Sequence, residues 1–430
     1  MSVTHRSLSV AVESSFGSLS SSTGLPDVSG LTYTSIPCER DPILIYGDVV
    51  ASERNDARDG SYTLPPEPDS VESGGVKVRR RTGQVQLRVD LTTIGTTANN
   101  YTTNYLGYLL GAGLLTQISP TLTDTASGVI SKNVFTPTVG FAAATVGTIL
   151  SSELNGRSEY SAITDNDVGG NVSVSPAFGA GFTGTPTVRG TQTWFTGSRT
   201  STGDKEHSVT FRVDGVNFRT YAYGCVLESL AISLDNGRLM ADMTYQSALI
   251  QDDHGSAVGP IEPVYNAGSP PFFRGSYVVV SSTSPTSLTS TATGDTLART
   301  ELDCEGFSFT LTNVLTPLGH SNSILAMSNY EIGDVTTELT LTLSTVNTAI
   351  NDDYFSRTVR QVIVGTGPTG DGKGAAIMLS AGHLTTDPSK YDVGGNDIVR
   401  QQLTYASSRF GGDVAETGAG NSPVRIALGI

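Results

Sequence analysis

Apolar and polar residues alternate cleanly from Val85 to Leu91. Val85, Leu87, Val89 and Leu91 therefore share one face of a strand, and Gln86, Arg88 and Asp90 share the other. After a polar joint that ends at Asn100 the period changes. Tyr101, Tyr105 and Leu109 recur at helical spacing, which predicts a helix that stops near Gly111. The same order returns at an offset of 254 residues. Leu339, Leu341 and Leu343 alternate with Glu338, Thr340 and Thr342, and a joint runs to Asp353. Phe355, Val359 and Ile363 then take helical spacing and end at Gly365-Thr-Gly367, as the first copy ends at Gly111-Ala-Gly113. Asn99/Asn100 and Asp352/Asp353 stand where N-caps belong. Two periodicities that coincide without a gap point to a duplicated domain.

Further strands are expected over 7–13, 208–214, 307–312, 375–379, 398–405 and 424–428. The clearest hairpin runs from Gly224 to Tyr245, and its turn is Asn236-Gly237, the pair that accepts the two positive φ angles of a type I′ turn. Leu230, Ile232 and Leu234 face Leu239, Ala241, Met243 and Tyr245, while Arg238, Asp242, Thr244 and Gln246 look outward. Tyr277 to Val280 reads as an edge strand. Gly-, Ser-, Thr- and Pro-rich stretches separate these elements: a long loop over 18–75, loops and short strands over 114–206, a connector over 251–300, and a loop reaching Gly333. This divides the chain into a first β domain (1–250), the connector (251–300) and a second β domain (301–430).

Composition narrows the class. Only 16% of the 430 residues are charged, and turn and strand formers abound, which suits an all-β protein. The formal charge of -15 argues against an electrostatic grip on nucleic acid. Lys77, Arg79, Arg80 and Arg81 form a local basic cluster, best read as a strand edge or a subunit contact. Cys38, Cys225 and Cys304 lie far apart, with neither metal-ligand spacing nor the even count of a disulfide framework. Nothing reads as a secretory leader, and the apolar stretch Phe141 to Leu150 is too short for a membrane span, so the expectation is a soluble protein made in a cytoplasm.

Candidate chemistry is sparse. Gly365-Thr-Gly367-Pro-Thr-Gly370 fits G-x-G-x-x-G and Gly367 to Lys373 fits G-x-x-x-x-G-K, but a phosphate loop needs a strand before it and a helix after it. Here the order is reversed, and Gly374 replaces the magnesium-binding Ser or Thr. Asp165-Asn-Asp167-Val-Gly169 lacks the later acidic ligand of a calcium loop. His5, His207, His254, His320 and His383 are scattered, and no nucleophile elbow or H-E-x-x-H occurs. Asp252-Asp253-His254 is compact enough for a metal or a base but lies in an expected loop. No catalytic residue, cofactor or metal is therefore assigned, and the chain is read as a non-enzyme.

The segment Gly224-Cys-x-x-x-Ser229-Leu-x-Ile-Ser-Leu234, followed by Gly237 and a second alternating strand, resembles the tail tube proteins of long-tailed bacteriophages. Gly306-Phe-Ser-Phe-Thr-Leu-Thr-Asn-Val-Leu315, with its following loop, strand and helix, is similar to them too. The likeness is loose over 85–245 and better over 307–430; the insertions at 18–75 and 114–206 depart from the compact family pattern. It implies β-sandwich or rolled-sheet domains, each flanked by one helix, whose inner strands join between subunits into a barrel around a lumen. The implied protein is a structural subunit of a virion tail, assembled in the host cytoplasm, whose stacked rings conduct DNA without binding it. Its implied partners are further copies of itself, a tape measure protein in the lumen, and the tail terminator and distal tail proteins, with no membrane. Rings of the family commonly hold six domains, so a duplicated chain implies a trimer with pseudo-sixfold symmetry. A single tube domain would imply a hexamer instead.

On that reading the outward residues Gln86, Arg88, Asp90, Arg238, Asp242, Thr244, Glu338, Thr340 and Thr342 are lumen candidates. The mixed charges and short apolar run of 36–74 suit a loop that docks on the next ring, through Glu39, Arg40, Asp41, Tyr46, Glu53, Arg54, Asp56 and Arg58. Two other classes compete. A cell-surface or phage binding module predicts aromatic or acidic clusters gathered on one group of loops, and a β-rich hydrolase predicts converging carboxylates.

Overall fold

Strand alternation decides the architecture. The computed structural model describes residues 7–19, 27–28, 30–38, 42–46, 51–53, 76–78, 82–91, 101–117, 122–131, 133–138, 146–154, 157–166, 170–190, 192–196, 205–215, 218–253, 277–281, 299–319, 325, 327–366, 374–388, 391–393, 399–407 and 422–429. A front sheet runs, in spatial order, through Ile43–Tyr46, Gly83–Asp90, Arg238–Ser247, the second half of Arg219–Asp235, Cys304–Gly319, Met327–Leu343 and Val399–Ser407, all antiparallel. A back sheet runs through Arg299–Glu301, Tyr277–Ser281, Arg360–Gly365, Ala375–Leu384, Val424–Leu428, Thr193–Phe195 and Leu115–Gln117. The two meet at a corner where Gly382 to Leu384 pairs with Tyr405 to Ser407. Between them lies one apolar core. Val85, Leu87, Phe309, Leu311, Leu339 and Leu341 enter it from the front, and Val280, Val362, Val364, Ile377 and Ile426 from the back.

The strand Arg219–Asp235 serves two sheets. Its first half pairs with Val209–Asp214 and Leu249–Asp253, and Ser7–Val12 and Thr34–Ile36 complete this side sheet. The strand turns between the sheets at Gly224, whose φ is 60°, and at a bulge between Leu227 and Ser229. The helix Tyr105–Gly111 packs into the shared core through Tyr105, Leu106, Leu109 and Leu110. Tyr245 fastens it by donating its hydroxyl to the Leu109 carbonyl at 2.9 Å.

Residues 114–206 depart from the expected loops and short strands. Six strands between Leu122 and Gly190 close a barrel, and Phe135, Leu150, Ile163, Val174, Phe178, Phe182 and Val188 belong to its separate core. The alternation that builds it is diluted by Gly, Ser and Thr, so periodicity alone is weak there. The barrel sits on the far side of the back sheet. Ile149, Tyr160 and Ala162 pack against Val279, Ile363, Ala376, Met378 and Ala427.

Other expectations need correction. The second helical run is a short helix, Asn351–Ser356, ended by Arg357 at φ 53°, and Arg360–Gly365 is a strand. Val362 and Val364 point into the main core while Ile363 points to the barrel, so burial on both faces overrides the apparent helical period. Asp352 and Asp353 lie in the first turn rather than at the N-cap, which is Ile350. In the first half of the chain Asn104 caps the helix Tyr105–Gly111 by accepting from Leu106 N at 3.0 Å. Asn99 and Asn100 lie outside the described residues. Tyr277–Ser281 is an internal strand with partners on both sides. The loop expected before Gly333 is largely ladder: Cys304–Gly319 and Met327–Leu343 form one long hairpin.

All-β architecture is shown, and each half has a strand, a 3-10 turn and a short helix in that order. Yet the halves interlock. Thr193–Phe195 pairs with Val424–Leu428, and Arg219–Asp235 with Cys304–Gly319. Asn236 and Gly237 have φ of 50° and 81°, as a type I′ turn requires.

Where Arg219–Asp235 changes sheets, a buried carboxylate holds the seam. Glu13 accepts from Gly17 N and Gly224 N at 2.8 Å each, from Thr210 Oγ1 at 2.6 Å and from Ser208 Oγ at 2.5 Å. Burial pushes its pKa up, against the four donors that favour the charged form. Glu13→Gln turns an amide NH2 toward two of those donors and is expected to cost about 2–3 kcal/mol; the urea midpoint of the purified chain measures it.

A second test concerns the helix docking. His207 Nε2 lies 3.0 Å from the Tyr108 carbonyl, to which it donates, and burial lowers its pKa from 6.5. The unfolded chain takes up this proton first as pH falls, so stability is lost from about pH 6.5 downward until the folded histidine also titrates. The slope of stability against pH just below 6.5 is expected to be shallower in His207→Gln than in the wild type.

Candidate functional site: the front face

The inward residues of the front sheet are buried, so the outward ones form a surface of their own. Register places them in rows. Gln86, Thr244, Ser229, Thr312 and Thr336 follow one another across five strands. Arg88, Asp242, Ala231, Thr310 and Glu338 make the next row, and Asp90, Met240, Ser233, Ser308, Thr340 and Thr404 the third. Arg238 lies opposite Asp235, and Thr342 opposite Gly306 and Gln402. All nine outward residues singled out from alternation, scattered from position 86 to position 342 in sequence, thus lie on one continuous face.

The middle of this face is paved with hydroxyls: Ser229, Ser233, Ser308, Thr310, Thr312, Thr336 and Thr340. Most of its paired charges lie toward the Gly83–Asp90 side, and Glu338 stands farther across on Met327–Leu343. Five carboxylates (Asp90, Glu228, Asp235, Asp242 and Glu338) stand with two guanidinium groups, Arg88 and Arg238, across these rows. Arg88 Nη2 reaches Asp235 at 2.9 Å and Arg238 Nη1 reaches Asp90 at 3.0 Å, while Gln84 Nε2 donates to Glu228 at 3.2 Å. The Arg88–Asp235 pair spans the strand Arg238–Ser247 and the Arg238–Asp90 pair ties that strand to its neighbour, both beside Met240, which is fully buried although it points to the polar side. At the margin, Ile43 and Ile45 are 46% and 41% exposed on the same side.

The remaining candidates do not converge. Tyr46 and Glu53 lie in the strands Ile43–Tyr46 and Ala51–Glu53, and Glu39, Arg40, Asp41, Arg54, Asp56 and Arg58 fall outside the described residues. So do Arg79, Arg80, Arg81, His5, His254 and His320. Gly365 ends a strand, and a Cβ there would stand 2.1 Å from the Tyr160 ring, so packing accounts for this glycine. Gly367 to Lys373 is outside the described residues, as is Asp167. Asp165 and Asn166 lie in a barrel strand. No group of His, Cys, Asp and Glu that could hold a metal occurs among the described residues, and no described helix is long and apolar enough to cross a membrane.

Sequence reading missed two polar sites, Glu13 with its four donors and an Arg212–Asp214–Arg219 cluster. The second had a signal: Arg212 and Asp214 are two residues apart in an alternating strand, hence on one face. The first had none, because three of its four donors, Ser208, Thr210 and Gly224, lie about two hundred residues away in sequence. No model of a known protein family matches the chain, and no curated protein matches it in sequence.

The front face makes a specific demand on Met240, its large buried apolar residue. Met240→Ala is expected to destabilise by about 2–3 kcal/mol, as for a core methionine, whereas Thr244→Ala on the same strand costs about 0.5 kcal/mol or less. Urea midpoints of the two variants check the contrast.

Proposed function

We propose that the chain is a structural subunit of a bacteriophage tail tube and that its front face lines the channel. The observation that carries this reading is the face itself: a broad antiparallel surface of hydroxyls with more carboxylates than cations, backed by an apolar core. Such a surface solvates a channel without gripping a polyphosphate passing through it, since phosphates are repelled and no cationic row tracks them. The barrel, on the opposite side of the back sheet, then faces away from the lumen. Ring formation joins copies of this chain, with a tape measure protein inside before DNA passage and terminator and distal proteins at the two ends. Three chains per ring supply six tube domains if the two halves are copies of one another.

Electron microscopy of the purified chain tests the reading: rings or tubes are expected, and dispersed monomers at high concentration overturn it. The mass of a single ring separates three chains of 44.9 kDa from six. Within rings, a Thr310→Cys variant is expected to be shielded from a maleimide on a bulky polymer yet open to a small one. The dispersed chain should react with both, because Thr310 is exposed there. Equal reaction with the bulky reagent before and after assembly removes the front face from the lumen.

A further inference from the structure

On the outer face of the side sheet, one carboxylate serves two guanidinium groups. Asp214, with no exposed surface, accepts from Arg212 Nε at 2.7 Å and from Arg219 Nε at 2.6 Å. Arg212 and Arg219 are themselves only 9% and 6% exposed. Together the three side chains carry one positive charge in excess, within a chain of formal charge -15. Buried charge needs a compensating partner. Yet the Nη2 atom of each arginine is buried without a hydrogen-bond partner, and the Tyr33 hydroxyl is too. The Tyr33 ring lies 4.5 Å over the Arg212 guanidinium and 6.4 Å from the Tyr221 ring. Burial raises the Tyr33 pKa, so its hydroxyl stays protonated. Ser35 Oγ, on the next row of the same sheet, is also unpartnered. Every one of these groups can donate. Among the described residues, no acceptor meets these atoms.

We propose that Arg212, Arg219 and Tyr33 form a receptor for a carboxylate. Its two oxygens take the free Nη2 groups, and the Tyr33 hydroxyl adds a third donor. The planar fork of a guanidinium matches a planar carboxylate better than a spherical halide. Tyr33 is only half-buried and covers Arg212, so the ring moves aside as the ligand enters. The site lies on the side sheet, apart from the front face, and does not depend on the tube reading. Two sources offer the same chemistry: an acidic side chain of a second copy of this acidic chain, or a free small carboxylate.

A Tyr33→Trp variant reports on the site, because the chain's own tryptophan, Trp194, is fully buried and gives a constant background. Titration with sodium acetate, against sodium chloride at equal ionic strength, is expected to give a saturable emission change at roughly millimolar acetate and none with chloride. Arg219→Gln in that background should weaken the response about tenfold, and Asp214→Asn should strengthen it, since both guanidinium groups are then released. The wild-type chain supplies an independent measurement: acetate raises its melting midpoint above that in chloride. The absence of any acetate-specific response in both measurements overturns the proposal. So does an acetate response that Arg212→Gln and Arg219→Gln both leave unchanged, because the guanidinium groups then do not hold the ligand. If the acetate response fades as the protein concentration is raised, a second copy is the source; if it persists, the ligand is a free carboxylate.

Discussion

The fold depends on one strand satisfying its backbone on both edges while it passes from one sheet to another. Arg219–Asp235 gives its first half to the side sheet and its second half to the front sheet. At the crossing its ladder partners change, and a buried peptide group left unpaired there would be costly. Other elements fill the gap. Leu227 N donates to the Ala112 carbonyl at 3.0 Å, just past the first helix, and Asn313 Nδ2 donates to the Leu227 carbonyl at 2.9 Å. Gly224 N finds Glu13. The helix, the N-terminal strand and the long hairpin are thus held where they are by the demands of a single crossing.

Layering follows from that constraint. Once the front and side sheets share a strand, their apolar faces turn toward one core, and the back sheet closes it. The back sheet is then apolar on both faces, which is why Val362, Ile363 and Val364 run together without alternation and why a barrel can seat on its far side. The front face is left to be polar over a wide area. That polarity is what recommends it as a channel wall.

The charged groups sort into two kinds. Those on the front face pair across strands in partly exposed positions and contribute little stability individually. Those under the surface are matched group by group: Glu13 with four donors, Asp353 with Arg360, Glu159 with Arg299. Arg212 and Arg219 break the pattern by sharing a single carboxylate, and an incomplete match in a buried place is where a ligand is looked for.

The sequence by itself determined the strands with strict alternation. Gly83–Asp90, the Asn236-Gly237 hairpin and the Leu339–Leu343 segment were legible because a half-buried strand must alternate and a two-residue turn must accept positive φ. It determined also that Gln86, Asp242 and Thr340 point away from their own strand's core, since parity is local. What only the tertiary structure decided is which strands lie side by side. Registers such as Asp242 beside Ala231 and Thr310 beside Glu338 come from packing between distant segments, and no local period encodes them. Burial on both faces hid the strand Arg360–Gly365 behind a helical spacing, and Gly, Ser and Thr hid a closed barrel. Most donors around Glu13 were beyond reach for the same reason: hydrogen bonds from residues 208, 210 and 224 to residue 13 exist only after distant segments have met.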